Sequence, residues 1–136
     1  MNAKEIMRSA VHVAKPNDTV HDIVIRLGQE KVSGLPVVDE VGSIIGVITE
    51  ADLLRAYKED RSGEPVDQLM TKDVISVTEE TDLHEIVDLF LEKGIRRVFV
   101  AENSELRGVI SRRDLVLSSQ ISKQVSEFSR QLCGGA

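Results

Sequence analysis

Gly46-Val47-Ile48-Thr49-Glu50-Ala51-Asp52-Leu53-Leu54 decides the fold, because it returns 62 residues later as Gly108-Val109-Ile110-Ser111-Arg112-Arg113-Asp114-Leu115-Val116. Each copy reads glycine, two β-branched residues, a hydroxyl, two variable positions, an aspartate and then apolar residues. The β-branched pair favours a strand. A hydroxyl followed three residues later by a carboxylate favours a helix start. Each copy therefore predicts a strand running straight into a helix, with Thr49–Asp52 or Ser111–Asp114 at the corner.

The echo extends outward in both directions. Met7-x-x-x-Val11 matches Met70-x-x-x-Val74 at an offset of 63, which holds through Val20/Leu83, His21/His84, Ile23/Ile86, Val24/Val87 and Leu27/Phe90. From Lys31/Lys93 the offset is 62, through Pro36/Val98, Val38/Val100 and Asp52/Asp114, so a one-residue deletion is expected near Gly28. Each copy opens with a short extended piece, Val11–Ala14 or Val74–Val77. A polar helix-start cluster follows, Pro16-Asn17-Asp18-Thr19 or Thr78-Glu79-Glu80-Thr81-Asp82. Apolar residues then recur at helical spacing, Val20, Ile23, Val24, Leu27 and Leu83, Ile86, Val87, Phe90. Strands at Leu35–Val38 and Val98–Val100 come next, each turning back into a glycine strand. The order is β-α-β-β-α, twice, an α+β fold with repeats at 1–62 and 63–118 and a helical tail at 119–136. Lys58–Pro65 reads as the linker. In the tail, Leu117, Ile121, Val125, Phe128 and Leu132 extend the last helix as one amphipathic stripe, ending at Gly134-Gly135.

Composition narrows the function. The chain has 136 residues, 41% hydrophobic and 29% charged, with a formal net charge of −6. That length supports one core shared by two copies, since about 60 residues alone make a marginal one. The negative charge disfavours a nucleic-acid duplex as partner. A single cysteine, Cys133, rules out an internal disulfide and fits a reducing cytoplasm. Neither a signal-peptide run nor a membrane-spanning run is present, so no membrane partner is expected.

The corners carry the chemistry. A helix N-terminus offers unpaired N–H groups and partial positive charge to a phosphate. Asp52 or Asp114 can accept hydrogen bonds from a ribose diol, and Thr49 or Ser111 can bond the sugar or phosphate. The same residues read equally well as plain capping boxes. No nucleophile–base pair, metal-ligand cluster or glycine-rich phosphate loop appears, so neither an enzyme nor a cofactor is expected. His21 and His84 fall on the polar sides of their helices, and His12 has no ligand company. Cys133 has no base nearby in sequence.

Gly34-Leu35-Pro36-Val37-Val38-Asp39 with the first corner, and Arg97-Val98-Phe99-Val100 with the second, resemble the two halves of a CBS-domain pair, or Bateman module, over residues 6 to 118. The second copy departs from the pattern where Arg97-Val98 replaces Leu35-Pro36 and Ala101 replaces Asp39. The resemblance implies two repeats packed sheet to sheet about a pseudo-twofold axis, with two clefts that take AMP, ADP, ATP or S-adenosylmethionine, and a homodimer regulating a partner protein. Carried over by position, one cleft holds Ser111, Asp114, Arg96 and Asp18, with Arg113 beside it. The other holds Thr49, Asp52, Gly34 and Thr81. Val11, with Ala10, and Val74 would wall the adenine. Arginines 96, 97, 107, 112 and 113 lie near the second corner and only Glu50 near the first, so phosphorylated ligands are expected at Ser111/Asp114. Asp18 opposes them. The resemblance implies a regulatory nucleotide sensor; the alternative is an interaction module that dimerises without a nucleotide.

Overall fold

Twelve elements follow one another among the described residues, which in this computed structural model are 1–9 and 11–133. They are α1 (Ala3–Ile6), α2 (Val20–Glu30), β1 (Gly34–Val38), β2 (Ile44–Thr49), α3 (Glu50–Lys58), α4 (Val66–Leu69), β3 (Ser76–Val77), α5 (Leu83–Lys93), β4 (Arg97–Glu102), β5 (Glu105–Ser111), α6 (Arg112–Val116) and α7 (Ser119–Cys133). Mixed helix and strand in two copies is the α+β arrangement that the repeat predicts. No helix among the described residues is long and apolar enough to cross a membrane.

The chain divides into two compact units whose membership is not contiguous. The first-corner unit is Ala10–Ile75 with Ala101–Leu106, and the second-corner unit is Met1–Ser9, Ser76–Val100 and Arg107–Ala136. In the first, β1 pairs antiparallel with β2, Gly34 opposite Thr49 and Val38 opposite Ile44. All five residues of β1 are buried, as a strand covered on both faces must be. Ala14, Ile23, Leu35, Val37, Ile48 and Val66 form its core. In the second unit, Val77, Ile86, Phe90, Val98, Val100 and Ile110 are the buried counterparts.

Local chemistry starts the helices where the sequence predicts. Thr19 and Asp22 form a capping box on α2, and Thr19's backbone N–H and hydroxyl hold the Asp22 carboxyl below its usual range. Asp82 caps α5 by accepting from His84 N. The two helices have eleven residues each and end left-handed, at Lys31 (φ 54°) and at Gly94 (φ 60°). Those caps are 63 residues apart, so the missing residue falls in the helix-to-strand turn and not near Gly28. A deletion inside a helix would rotate its apolar face by about 100°, whereas a turn absorbs it. Lys31 also carries the left-handed cost that Gly94 avoids. Lys31→Gly is therefore expected to stabilise the protein by about 0.5–1 kcal/mol in urea titration, and an unchanged or lower midpoint would contradict this.

Other expectations need correction. Val11–Ala14 is not a strand; Ala14 alone bridges Val37, donating to Pro36 O and accepting from Val38 N. The next donor along β1 would be residue 36, a proline without an N–H, so the ladder stops. Of Val74–Val77 only Ser76–Val77 is strand, pairing parallel with Phe99 and Val100. The tail does not extend the last helix. Leu117 N and Ser118 N close the end of α6 on Arg113 O and Leu115 O, and α7 begins afresh, with Ser122 N donating to Ser118 O. Consecutive serines favour such a restart over helix interior. The proposed end at Gly134-Gly135 lies outside the described residues. The segment read as a linker is clasped: Arg61 donates to Glu64 at 2.7 and 3.0 Å, holding that carboxyl below its usual range, and to Gln68 O at 3.2 Å.

Two four-residue helices, α1 and α4, each lead into a segment that crosses a corner strand. After α4, Thr71 exchanges backbone hydrogen bonds with Val47, both 2.9 Å. After α1, Arg8 does so with Val109, at 3.0 and 3.1 Å. Each crossing lies over the motif glycine: a Cβ on Gly46 would sit 2.9 Å from Thr71 O, and one on Gly108 2.9 Å from Arg8 O.

Candidate functional site

The two corners share a frame and differ in what completes it. Thr49 Oγ1 accepts from Asp52 N at 3.2 Å and Asp52 Oδ2 accepts from Thr49 N at 2.9 Å. Ser111 and Asp114 repeat both bonds at 3.1 and 2.9 Å. Both capping boxes are thus real, and the ligand question becomes what each carboxylate has left to offer.

Asp52 has little. It is 2% exposed, Thr49's hydroxyl also donates to Oδ2, and Oδ1 accepts from Arg55 and from Thr71 Oγ1 at 2.9 Å. Five donors on one buried carboxylate saturate its lone pairs. Gly34, opposite Thr49 in the β1–β2 ladder, is buried as well. The first corner is therefore built as a closed joint.

Asp114 is held more lightly. Its Oδ1 meets one residue, Arg8, with Nε at 3.1 Å and Nη2 at 3.0 Å. The carboxylate is 11% exposed and the guanidinium side chain 67% exposed, so solvent screens the pair. Arg8 stands where the 63-residue offset puts Thr71. An exposed cation replaces a hydroxyl at the same joint. Beside Asp114 lies a recess of about 330 Å³, lined by Met1, Glu5, Ile6, Asp114, Leu117 and Ser118, at the small end of ligand pockets. The Ser118 hydroxyl is buried without a hydrogen-bond partner. Two carboxylates and a hydroxyl suit a polyol better than an anion, while Arg8 offers the anion's counter-charge at the edge.

The remaining sequence candidates divide between the units. Arg96, Ser111, Arg113, Asp114 and Thr81 are in the second-corner unit; Asp18, Gly34, Thr49, Asp52, Val11 and Val74 are in the first-corner unit. Arg96 is exposed and its carbonyl accepts from Arg112 N at 3.2 Å, which ties it to the start of α6. Arg113 is exposed on α6. Arg107 is drawn to Glu79, 3.9 Å away. Thr81 Oγ1 accepts from Thr78 N at 3.0 Å, inside the turn before α5. Asp18 accepts from Lys15 N at 2.9 Å and lies 4.0 Å from Arg26, which offsets its charge. Val11 and Val74 are half-buried outside any strand, and Ala10 lies outside the described residues. His12, His21 and His84 are all exposed, and the Cys133 side chain lies outside the described ones. Sequence reading missed Arg8, 106 positions from its partner. Its signal was the repeat offset itself, which sets Met7-Arg8 against Met70-Thr71.

The CBS domain family model matches residues 3–59 and again 66–120. A crystal structure of CBSX2 in complex with AMP is 30% identical, with a TM-score of 0.80 over 92% of this chain and 98% of that one. The CBS domain-containing protein YhcV of Bacillus subtilis is 27% identical, across 99% of this chain and 91% of that protein. An uncharacterized 17.7 kDa protein of Acidianus ambivalens is 34% identical over 112 residues, 82% of this chain and 68% of its own length. With the duplicated corner and a family match over both copies, the chain belongs to the CBS domain family, as a tandem pair.

Proposed function

We propose that this CBS pair is a regulatory module that binds an adenosine-containing ligand, AMP, ADP, ATP or S-adenosylmethionine, at its Ser111/Asp114 corner without turning it over. The observation that carries the reading is the contrast between a saturated Asp52 and an Asp114 held by one exposed guanidinium beside a recess. The AMP complex of the similar CBSX2 supports the ligand class. A ribose diol displaces Arg8 from Asp114, and Arg8 then meets a phosphate outside the recess. Because Arg8 belongs to the Met1–Ser9 crossing, the exchange pulls on that segment and passes occupancy to a regulated partner. A cytoplasmic setting, rich in nucleotides and reducing toward a lone cysteine, suits that role.

Calorimetric titration of ligand-stripped protein with the four ligands tests the reading, alongside Arg8→Ala. Wild type is expected to bind at least one of them. Arg8→Ala, with Asp114 unmasked, is expected to bind adenosine about as well or better, and AMP or ATP about tenfold more weakly, as befits a lost charge-assisted contact. Silence with all four ligands would overturn the proposal and leave the interaction-module reading standing.

A further inference from the structure

We infer that α7 is a self-pairing helix, its occupant the α7 of a second copy of this chain. Among its described side chains only Ile121 is half-buried; the rest are exposed, Val125 at 59% and Phe128 at 61%. An isolated helix of fifteen residues is marginal in water, so a stripe left this open calls for a cover. The sequence states which cover. Ile121, Val125, Phe128 and Leu132 follow at steps of four, three and four, a two-residues-per-heptad seam narrower than the face a helix turns toward a globular core.

The flanks decide the partner. Beside the seam stand Ser122, Gln124, Ser129 and Gln131, all uncharged. The charges Lys123, Glu127 and Arg130 occupy the opposite side of the helix. Like charges at the flanking positions oppose pairing of identical helices, and here there are none in either orientation. A membrane-surface helix instead carries lysine or arginine beside a broad apolar face, and the chain's net charge of −6 opposes an anionic leaflet. This inference does not rest on the nucleotide reading.

Sedimentation equilibrium of the full chain at micromolar concentrations tests it. Wild type is expected at twice the 15.0 kDa chain mass. The double variant V125D/F128D is expected to weaken the dimer about a hundredfold, since two charges then face each other across the seam. Both positions are exposed, so its thermal midpoint should match wild-type monomer. V125L/F128L should tighten the dimer, and Lys123→Glu, on the outer side, should leave it unchanged. A monomeric wild type, a V125D/F128D dimer as tight as wild type, or equal weakening by Lys123→Glu would each overturn the inference. So would a wild-type monomer whose α7 sediments with anionic lipid vesicles.

Discussion

Asp52→Ala lowers stability by about 3 kcal/mol, whereas Asp114→Ala costs about 1 kcal/mol and is felt in ligand affinity instead. The larger figure follows from what Asp52 satisfies. Removing a carboxylate that is 2% exposed leaves the Thr49 N–H without its acceptor and strips Arg55 and Thr71 of theirs. A lost cap costs about 0.5–2 kcal/mol and an orphaned buried donor about 1–3 kcal/mol. In a domain of this size the melting midpoint should fall by roughly 10 °C. Asp114 sheds one screened arginine and the same cap, and Arg8 turns to water. Its replacement by alanine should weaken binding of the preferred nucleotide about ten- to a hundredfold, through loss of hydrogen bonds to a charged acceptor. Melting curves and titrations on both variants separate the effects. Equal destabilisation by the two, or loss of binding with Asp52→Ala alone at a temperature where it is folded, would refute the division of labour.

Gly46→Ala and Gly108→Ala should each destabilise by about 1–3 kcal/mol, although alanine is the smallest possible addition. The new methyl at residue 46 would meet Met70 Sδ at 2.5 Å and Thr71 O at 2.9 Å; at residue 108 it would meet Met7 Sδ at 2.6 Å and Arg8 O at 2.9 Å. A methionine thioether can swing aside. A carbonyl held in a backbone bridge cannot. Shortening the methionine should therefore rescue only part of the loss, so Gly46→Ala/Met70→Ala should remain less stable than Met70→Ala alone. Gly28→Ala is the control: nothing lies within 4 Å of the added carbon in α2, and replacing a helical glycine should gain up to about 1 kcal/mol. Chemical denaturation of the set decides it, and a neutral Gly108→Ala would mean that the crossing segment yields.

The contrast between Gly46 and Arg8 marks where the sequence becomes hard to read. Both corners were legible because their bonds are local: Thr49 with Asp52 and Ser111 with Asp114 are three residues apart. Helices α2 and α5 were legible through periodic apolar faces. The reason for the motif glycines was not, since Met70 and Met7 reach them from other parts of the chain. Helices α1 and α4 are too short to show a period. The break at Leu117–Ser118 is hidden by a stripe that keeps its spacing across it, and only the paired serines betray it. The arginines named from the sequence were those close to Asp114 in number. The one that touches it, Arg8, is remote in number and adjacent in space.

The non-contiguous second-corner unit sets a timetable for synthesis. Arg8 and Met7 leave the ribosome about a hundred residues before Val109 and Gly108, the backbone they must lie across. At about 5–20 residues per second, that is a wait of roughly 5–20 seconds with Met7 and Ile6 uncovered. The first-corner unit meets a shorter delay, because the Met70–Thr71 segment follows Gly46 by 24 residues. The closed joint at Asp52 can therefore form first, and the ligand-binding corner is assembled last, from the earliest and the latest parts of the unit to emerge.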